Sequence, residues 1–195
     1  MTAPIFYFDF SSPYSYLAAM RIDDLLPTAE WRPIAFGVVV QRIGKTPWSF
    51  GHDKSVTQAL IDHRALDRGL PPLRYPEGWP KHTYSVAPLR AALVAGQLGL
   101  LKEFSRELFR SAFVEGADLR DLGVIDAAAV RAGLFHDEVV SGIQHADIKA
   151  KLRADTEEAI ERGVSGVPTV VVGDALFWGD DQLEDAAEAF AAVPD

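Results

Sequence analysis

Apolar positions fall into short unbroken runs near the two ends of the chain and into helical stripes through its middle. Ile5 to Phe10 is an apolar and aromatic run closed by the polar pair Ser11-Ser12, and its length predicts a buried strand rather than a helix. Ser12-Pro13 is a helix-start signal. The serine hydroxyl can accept from a backbone N–H of the first turn, and proline at the first helical position loses nothing by lacking its own N–H. The helix is expected from Pro13 to about Leu26, stopped by Pro27. Trp31 to Val40, rich in β-branched and aromatic residues with Pro33 near its beginning, predicts a second strand and so a βαβ unit.

The texture then changes. Gln41 to Trp79 is a loop-rich connection of glycines, prolines and charges with helical periodicity only over Ser55 to Arg68. Leu89 to Leu101 and Lys102 to Phe113 are strongly helical, and Ala127 to Ala132 and Asp137 to Gln144 predict two shorter helices separated by Gly133. Asp147 to Arg162 is an amphipathic helix with a stop at Gly163. Thr169 to Val172 and Ala175 to Trp178, joined by Gly173-Asp174, predict a β-hairpin, after which Asp181 and Glu184 open a last helix as a capping box. The order is βαβ, a helical block, then αββα. It divides the chain into a discontinuous α/β domain, residues 1–40 and 147–195, and an all-helical insertion, residues 41–146.

Composition narrows the partners. The chain has 195 residues, 48% hydrophobic and 24% charged, with no repeat or low-complexity stretch, as a folded soluble protein requires. A formal net charge of -9 without a basic cluster disfavours nucleic acid and anionic membranes. The first ten residues are neither a signal peptide nor a membrane span, so a cytoplasmic protein is expected. The chain has no cysteine, which excludes disulfides, thiolate metal sites and cysteine nucleophiles; any thiol chemistry must come from a small molecule.

Ser12-Pro13-Tyr14-Ser15, at the start of the first helix, stands where the disulfide-bond-forming (DsbA) thioredoxin-like proteins carry Cys-Pro-x-Cys. Val167-Pro168-Thr169 stands where that fold keeps a cis-proline before its third strand. With Phe8-Asp9-Phe10 before the first motif and Phe177-Trp178-Gly179-Asp180-Asp181 near the end, the chain resembles the 2-hydroxychromene-2-carboxylate isomerases and the related kappa-class glutathione transferases. The resemblance implies a thioredoxin-like fold with an inserted all-α domain, a glutathione cofactor or another low-molecular-weight thiol, an aromatic substrate of the kind met in aromatic catabolism, and a homodimer. It implies that Ser12 is the catalytic hydroxyl, that Val167 and a cis Pro168 hold the cysteinyl backbone of the thiol, and that Asp180 and Asp181 meet its γ-glutamyl end. X-Pro bonds are cis in only about 5–6% of folded cases, so the cis expectation rests on the resemblance alone. The thiol-binding loop would lie between Gly44 and Trp79, with Lys45, Thr46 and Trp48 the nearest candidates.

A serine hydroxyl is too weak an acid for disulfide exchange, but it can donate to a thiolate and so favour the ionised cofactor. An isomerase of a conjugated double bond then needs a thiol that adds, permits rotation and leaves, with the enolate stabilised. Arg42, Lys45, Lys81 and His82 are candidate partners for a substrate carboxylate, and Phe8, Phe10, Tyr14, Trp48 and Trp178 for a planar ring. Read without the resemblance, Ser12-Pro13 is a helix cap, Asp180 and Asp181 are caps as well, and the aromatics are core. Three functions stay open: an isomerase, a transferase that releases the conjugate, and a non-catalytic thioredoxin-like binding module. Gly44-Lys45-Thr46 lacks the glycine that a phosphate-binding loop needs at Val39. Gly163-Val164-Ser165-Gly166 lacks the final glycine of a hydrolase elbow, and the five histidines have no metal-ligand spacing, so no metal is expected.

Overall fold

The computed structural model describes residues 2–46, 54–81 and 85–192. Four strands, β1 (Ile5–Phe8), β2 (Glu30–Pro33), β3 (Thr169–Val172) and β4 (Ala175–Trp178), form one sheet in the order β2-β1-β3-β4. β1 pairs parallel with β2 and antiparallel with β3, and β3 pairs antiparallel with β4. Every residue of β1 and β3 is buried, because helices cover both faces. Phe6 and Phe8 point to a large aromatic core shared with the helical block, while Ile5 and Tyr7 point to a smaller cluster with Ile34, Val39 and Ala159. The sheet order and its flanking helices are the thioredoxin-like arrangement expected.

The helices are α1 (Pro13–Ala19), α2 (Ile22–Leu25), α3 (Phe36–Arg42), α4 (Lys54–Asp67), α5 (Val86–Gln97), α6 (Leu101–Phe113), α7 (Leu122–Arg131), α8 (Glu138–Gly142), α9 (Ala146–Glu161) and, after a 3-10 turn at Asp180–Gln182, α10 (Leu183–Ala191). Four expectations are corrected. The strand predicted over Trp31 to Val40 ends at Pro33, and its second half is α3, so the expected boundary at residue 40 falls inside a helix. Side chains far away in sequence satisfy the start of α3: Phe36 N donates to Asp9 Oδ2 at 2.9 Å and Ala35 N to Thr156 Oγ1 at 3.1 Å, which overrides the strand preference of Val38-Val39-Val40. The helix predicted from Pro13 to Leu26 breaks at Met20-Arg21, and α2 turns Asp23 toward α6. The capping box at Asp181 and Glu184 does not form. Those side chains pair with Arg64 and Arg21, and α10 starts behind Gln182 without a side-chain cap. The helix predicted to reach Leu101 stops at Gln97, where Gly99 takes φ +82 and Leu100 N turns back to Ala95 O at 2.9 Å.

Aromatic rings join the sheet to the helical block. Phe109 of α6 lies 4.7 Å from Phe10 and 5.8 Å from Phe8, ring centre to ring centre, and is fully buried. Beside it, Asp23 accepts from Lys102 Nζ at 2.9 Å and Trp31 Nε1 at 3.3 Å, and from Arg106. Burial works to raise the Asp23 carboxyl, and the hydrogen bonds from Lys102 and Arg106 outweigh it and hold it below its ordinary value.

Phe109→Ala is expected to lower unfolding stability by about 3–5 kcal/mol in a denaturant titration, the cost of a large buried cavity. Asp23 binds its proton more weakly in the folded chain than in the unfolded one, so the stability it contributes is fully present above its ordinary value of 3.8 and is lost as the pH falls from there through its lower folded value. Asp23→Asn is therefore expected to be less stable than wild type at neutral pH, with the gap closing in acid; urea midpoints measured across pH for both proteins check it.

Candidate active site

The site begins with the turn between β1 and α1. Ser12 occupies the N-cap of α1 in extended backbone, φ -101 and ψ 114, and its hydroxyl oxygen accepts from Ser15 N at 3.2 Å. The same hydroxyl donates to the carbonyl of Val167 at 3.4 Å, across a gap of 155 residues. The Val167–Pro168 peptide is cis. The Pro168 carbonyl accepts from Gly179 N at 3.0 Å, and Gly179 takes φ +122, a conformation that favours glycine. A Cβ at Gly166 would lie 2.2 Å from the Trp178 indole nitrogen, so the missing side chain is what lets Trp178 lie over this loop. Ser15, three residues after Ser12, is fully buried behind it.

Beneath Ser12 lies Asp9, 1% exposed. Its carboxylate accepts from Ser11 N at 2.8 Å, Phe36 N at 2.9 Å and the Ser85 hydroxyl at 3.1 Å, so β1, α3 and the entry to α5 meet on one side chain. Burial pushes the Asp9 carboxyl up, against the pull of those donors.

On the other side of α1, Arg64 of α4 lies over the Tyr14 ring, 5.6 Å from its centre. Arg64 donates to Asp180 at 2.8 Å and reaches Asp181 at 3.2 Å, and Arg68 also pairs with Asp180. Burial raises the Tyr14 hydroxyl, Arg64 opposes that and Asp181 adds to it. Asp180 is fully buried and paired with two guanidinium groups, so its carboxylate faces Arg64 and Arg68 rather than open surface. Asp181, about half exposed at its side chain, is the one of the two that can meet a ligand.

A small surface cleft adjoins Ser11. Its walls are Phe10, Trp79 and Phe113, with Glu77 and Asp118 among its polar lining. Trp79 is fixed by its indole N–H, which donates to Ser11 O at 3.2 Å, and by the Tyr75 ring 4.8 Å away.

Among the sequence candidates, the structure brings together Ser12, Val167 and Pro168, and joins Tyr14 to Asp180 and Asp181 through Arg64. Lys45 and Thr46 are exposed after α3, and Lys81 is exposed as well. Arg42 pairs with Glu157 of α9 at 2.6 Å. Trp48 and His82 lie outside the described residues. Sequence reasoning assigned no role to Asp9, Arg64, Trp79 or Ser85, whose cross-fold partners are 27 to 116 residues distant, so no local spacing betrays them. Away from the site, Asp126, His136 and Asp137 place ligand atoms within 4.8 Å of one another. The Asp126 carboxylate there is already taken by Asp137 N at 2.7 Å and by His136, so the cluster is explained as a self-satisfied turn. No helix among the described residues is long and apolar enough to cross a membrane.

Comparison with known proteins agrees with this geometry. The chain is 27% identical over 187 residues to a 2-hydroxychromene-2-carboxylate isomerase of Sphingobium xenophagum, covering 92% of this chain and 93% of that protein. It is 29% identical over 195 residues to one of Pseudomonas putida, covering 91% and 89%. A solved 2-hydroxychromene-2-carboxylate isomerase superposes with a TM-score of 0.86 at 23% identity, over 97% of this chain and 95% of the other. The cytosolic disulfide reductase DsbM of Pseudomonas aeruginosa, solved with GSH, superposes at 0.64 and 15% identity over 97% and 96%. The DSBA-like thioredoxin domain family matches residues 5–191, nearly the whole chain. With a cis-proline loop facing the start of α1 and a helical block within a four-stranded sheet domain, this chain belongs to the DsbA-like thioredoxin domain family.

Proposed function

We propose that the protein is a thiol-dependent isomerase of aromatic unsaturated carboxylates of the 2-hydroxychromene-2-carboxylate type, with glutathione or another small thiol as cofactor. The observation that carries the reading is the Ser12 hydroxyl, held at the mouth of α1 against the Val167 carbonyl at 3.4 Å, in a chain without cysteine. That bond is at the long, weak end of hydroxyl–carbonyl distances, so its hydrogen is readily turned to a better acceptor. Low sequence identity to the isomerases over nearly full length supports the same reading.

The donor set fits a peptide-like thiol. The Val167 backbone lies beside Ser12 as a rung for an added extended segment, and the exposed Asp181 carboxylate suits an ammonium group. When bound, glutathione would supply a thiolate that adds reversibly to a conjugated double bond and frees it to rotate. The chain's own part is to hold that anion and the substrate. α1 is only about two turns long, so the Ser12 hydroxyl, rather than a long helix dipole, carries the stabilisation of negative charge. Asp9 fixes the Ser11–Ser12 turn from below, and Arg64 holds Tyr14 and Asp181 from the side. With no cysteine in the chain, disulfide exchange through its own residues is excluded.

Wild-type protein is expected to interconvert 2-hydroxychromene-2-carboxylate and its ring-opened isomer, followed by ultraviolet absorbance, only when glutathione is present. Ser12→Ala is expected to lower kcat by about 10²–10³-fold, the usual cost of losing one donor to a developing anion. Equal rates with and without a thiol, or an unimpaired Ser12→Ala enzyme, contradict the proposal. Accumulation of a stable conjugate in place of isomer identifies a transferase instead.

A further inference from the structure

We infer that Ser15 is a positioning residue of the thiol site: its buried hydroxyl, unbonded in the resting protein, turns to Ser12 Oγ when Ser12 gives its own hydrogen to a thiolate. The inference rests on the thiol-dependent reading of Ser12 and adds to it the residue through which that donor is strengthened.

Ser15 is fully buried, and its hydroxyl makes no hydrogen bond among the described residues. Such a group is uncommon in a folded interior, because it has given up water and gained no partner. A serine inside a helix ordinarily bonds back to the carbonyl four residues before it. For Ser15 that is the carbonyl of Ser11, and the Trp79 indole N–H already donates to it at 3.2 Å, with the Tyr75 ring 4.8 Å away holding the indole in place. The carbonyl three residues back, that of Ser12, accepts from Tyr16 N at 3.2 Å. Both backbone acceptors near the Ser15 hydroxyl are therefore engaged. Its own N–H, meanwhile, donates to Ser12 Oγ at 3.2 Å.

A hydroxyl oxygen has two lone pairs. On Ser12 Oγ one is taken by Ser15 N, and the other is open to a second donor. Residues three apart share one face of a helix, and helical side chains lean toward the N-terminus, so the Ser15 hydroxyl lies on the Ser12 side of its own Cα. Rotation about χ1 redirects it without moving the backbone. At rest the pull is weak, since Ser12 makes only a long bond of 3.4 Å to the Val167 carbonyl. Donation to an anion changes this. A hydroxyl that gives its hydrogen to a negative charge becomes a better acceptor at its oxygen, and each bond in such a chain strengthens the next. The Ser15 bond is thus made with the ionised thiol and not with the neutral one, so it lowers the thiol's pKa.

The test is a double-mutant cycle in the full-length protein, with Ser12→Ala, Ser15→Ala and the double variant, reading the apparent pKa of bound glutathione from thiolate ultraviolet absorbance. Ser15→Ala is expected to raise that value from wild type by about half a unit to one unit, the worth of one neutral hydrogen bond. Because Ser15 acts through Ser12 Oγ, the double variant is expected to match Ser12→Ala alone. Urea unfolding gives the second readout. Ser15→Ala forfeits no side-chain hydrogen bond of the resting protein and puts alanine in a helix, so its midpoint is expected at or above that of wild type. A pKa that Ser15→Ala leaves in place, or an effect of equal size with and without the Ser12 hydroxyl, overturns the role of Ser15. A lowered urea midpoint overturns its premise, a hydroxyl unbonded at rest. An unshifted pKa in wild type overturns the thiol reading and this inference together, whereas a wild-type shift that is lost in Ser12→Ala and kept in Ser15→Ala overturns this inference alone.

Discussion

The buried carboxylate of Asp9 is the constraint on which the rest of the site depends. It gathers the end of β1, the first N–H of α3 and the hydroxyl that precedes α5 onto one pair of oxygens. A charge buried this deeply is tolerated only when its lone pairs are filled, and here backbone amides and hydroxyls from three parts of the chain fill them. Two consequences follow from the same bonds. The turn that carries Ser12 is held in place, and the serines of the adjoining cleft are turned so that their oxygens, not their hydrogens, face outward. One side chain therefore sets both the position of the Ser12 hydroxyl and the orientation of the neighbouring serines.

The second organising element lies across α1. Asp180 neutralises Arg64 of α4 and Arg68 in the turn that follows it, and Arg64 in turn covers Tyr14 and reaches Asp181. A buried pair of this kind is expensive to break because one partner is then left charged and dry, so it fixes the helical block against the tail of the sheet domain rather than serving a ligand. The aromatic contact of Phe109 with Phe8 and Phe10 does the same from the opposite side. Ser12 and the cleft sit between these two attachments.

Much of this was legible in the sequence where the signal is local. Ser12-Pro13 sets the start of α1, Gly163 ends α9, and the valines of Thr169–Val172 followed by Gly173-Asp174 give the hairpin. The cis-proline and the thioredoxin-like order came from motif resemblance, and the structure has both. What escaped depends on contacts between distant segments. Val38-Val39-Val40 has the composition of a strand, and only carboxylate and hydroxyl acceptors from Asp9 and Thr156 make it the start of a helix. Asp180 and Asp181 look alike in sequence; one is closed by Arg64 and Arg68 and the other remains at the surface, a distinction made by residues more than a hundred positions away. Gly99, whose φ of +82 ends α5, lies inside an apolar run whose pattern reads as continuous helix.

The central claim is that the Ser12 hydroxyl stabilises a thiolate. Its most direct measurement is the apparent pKa of glutathione bound to the protein, read from thiolate ultraviolet absorbance as pH is varied, in wild type and in Ser12→Ala. The account predicts a value below that of the free thiol in wild type, moving back up toward it in Ser12→Ala. An unshifted value in wild type, or a lowered one that Ser12→Ala leaves in place, contradicts it.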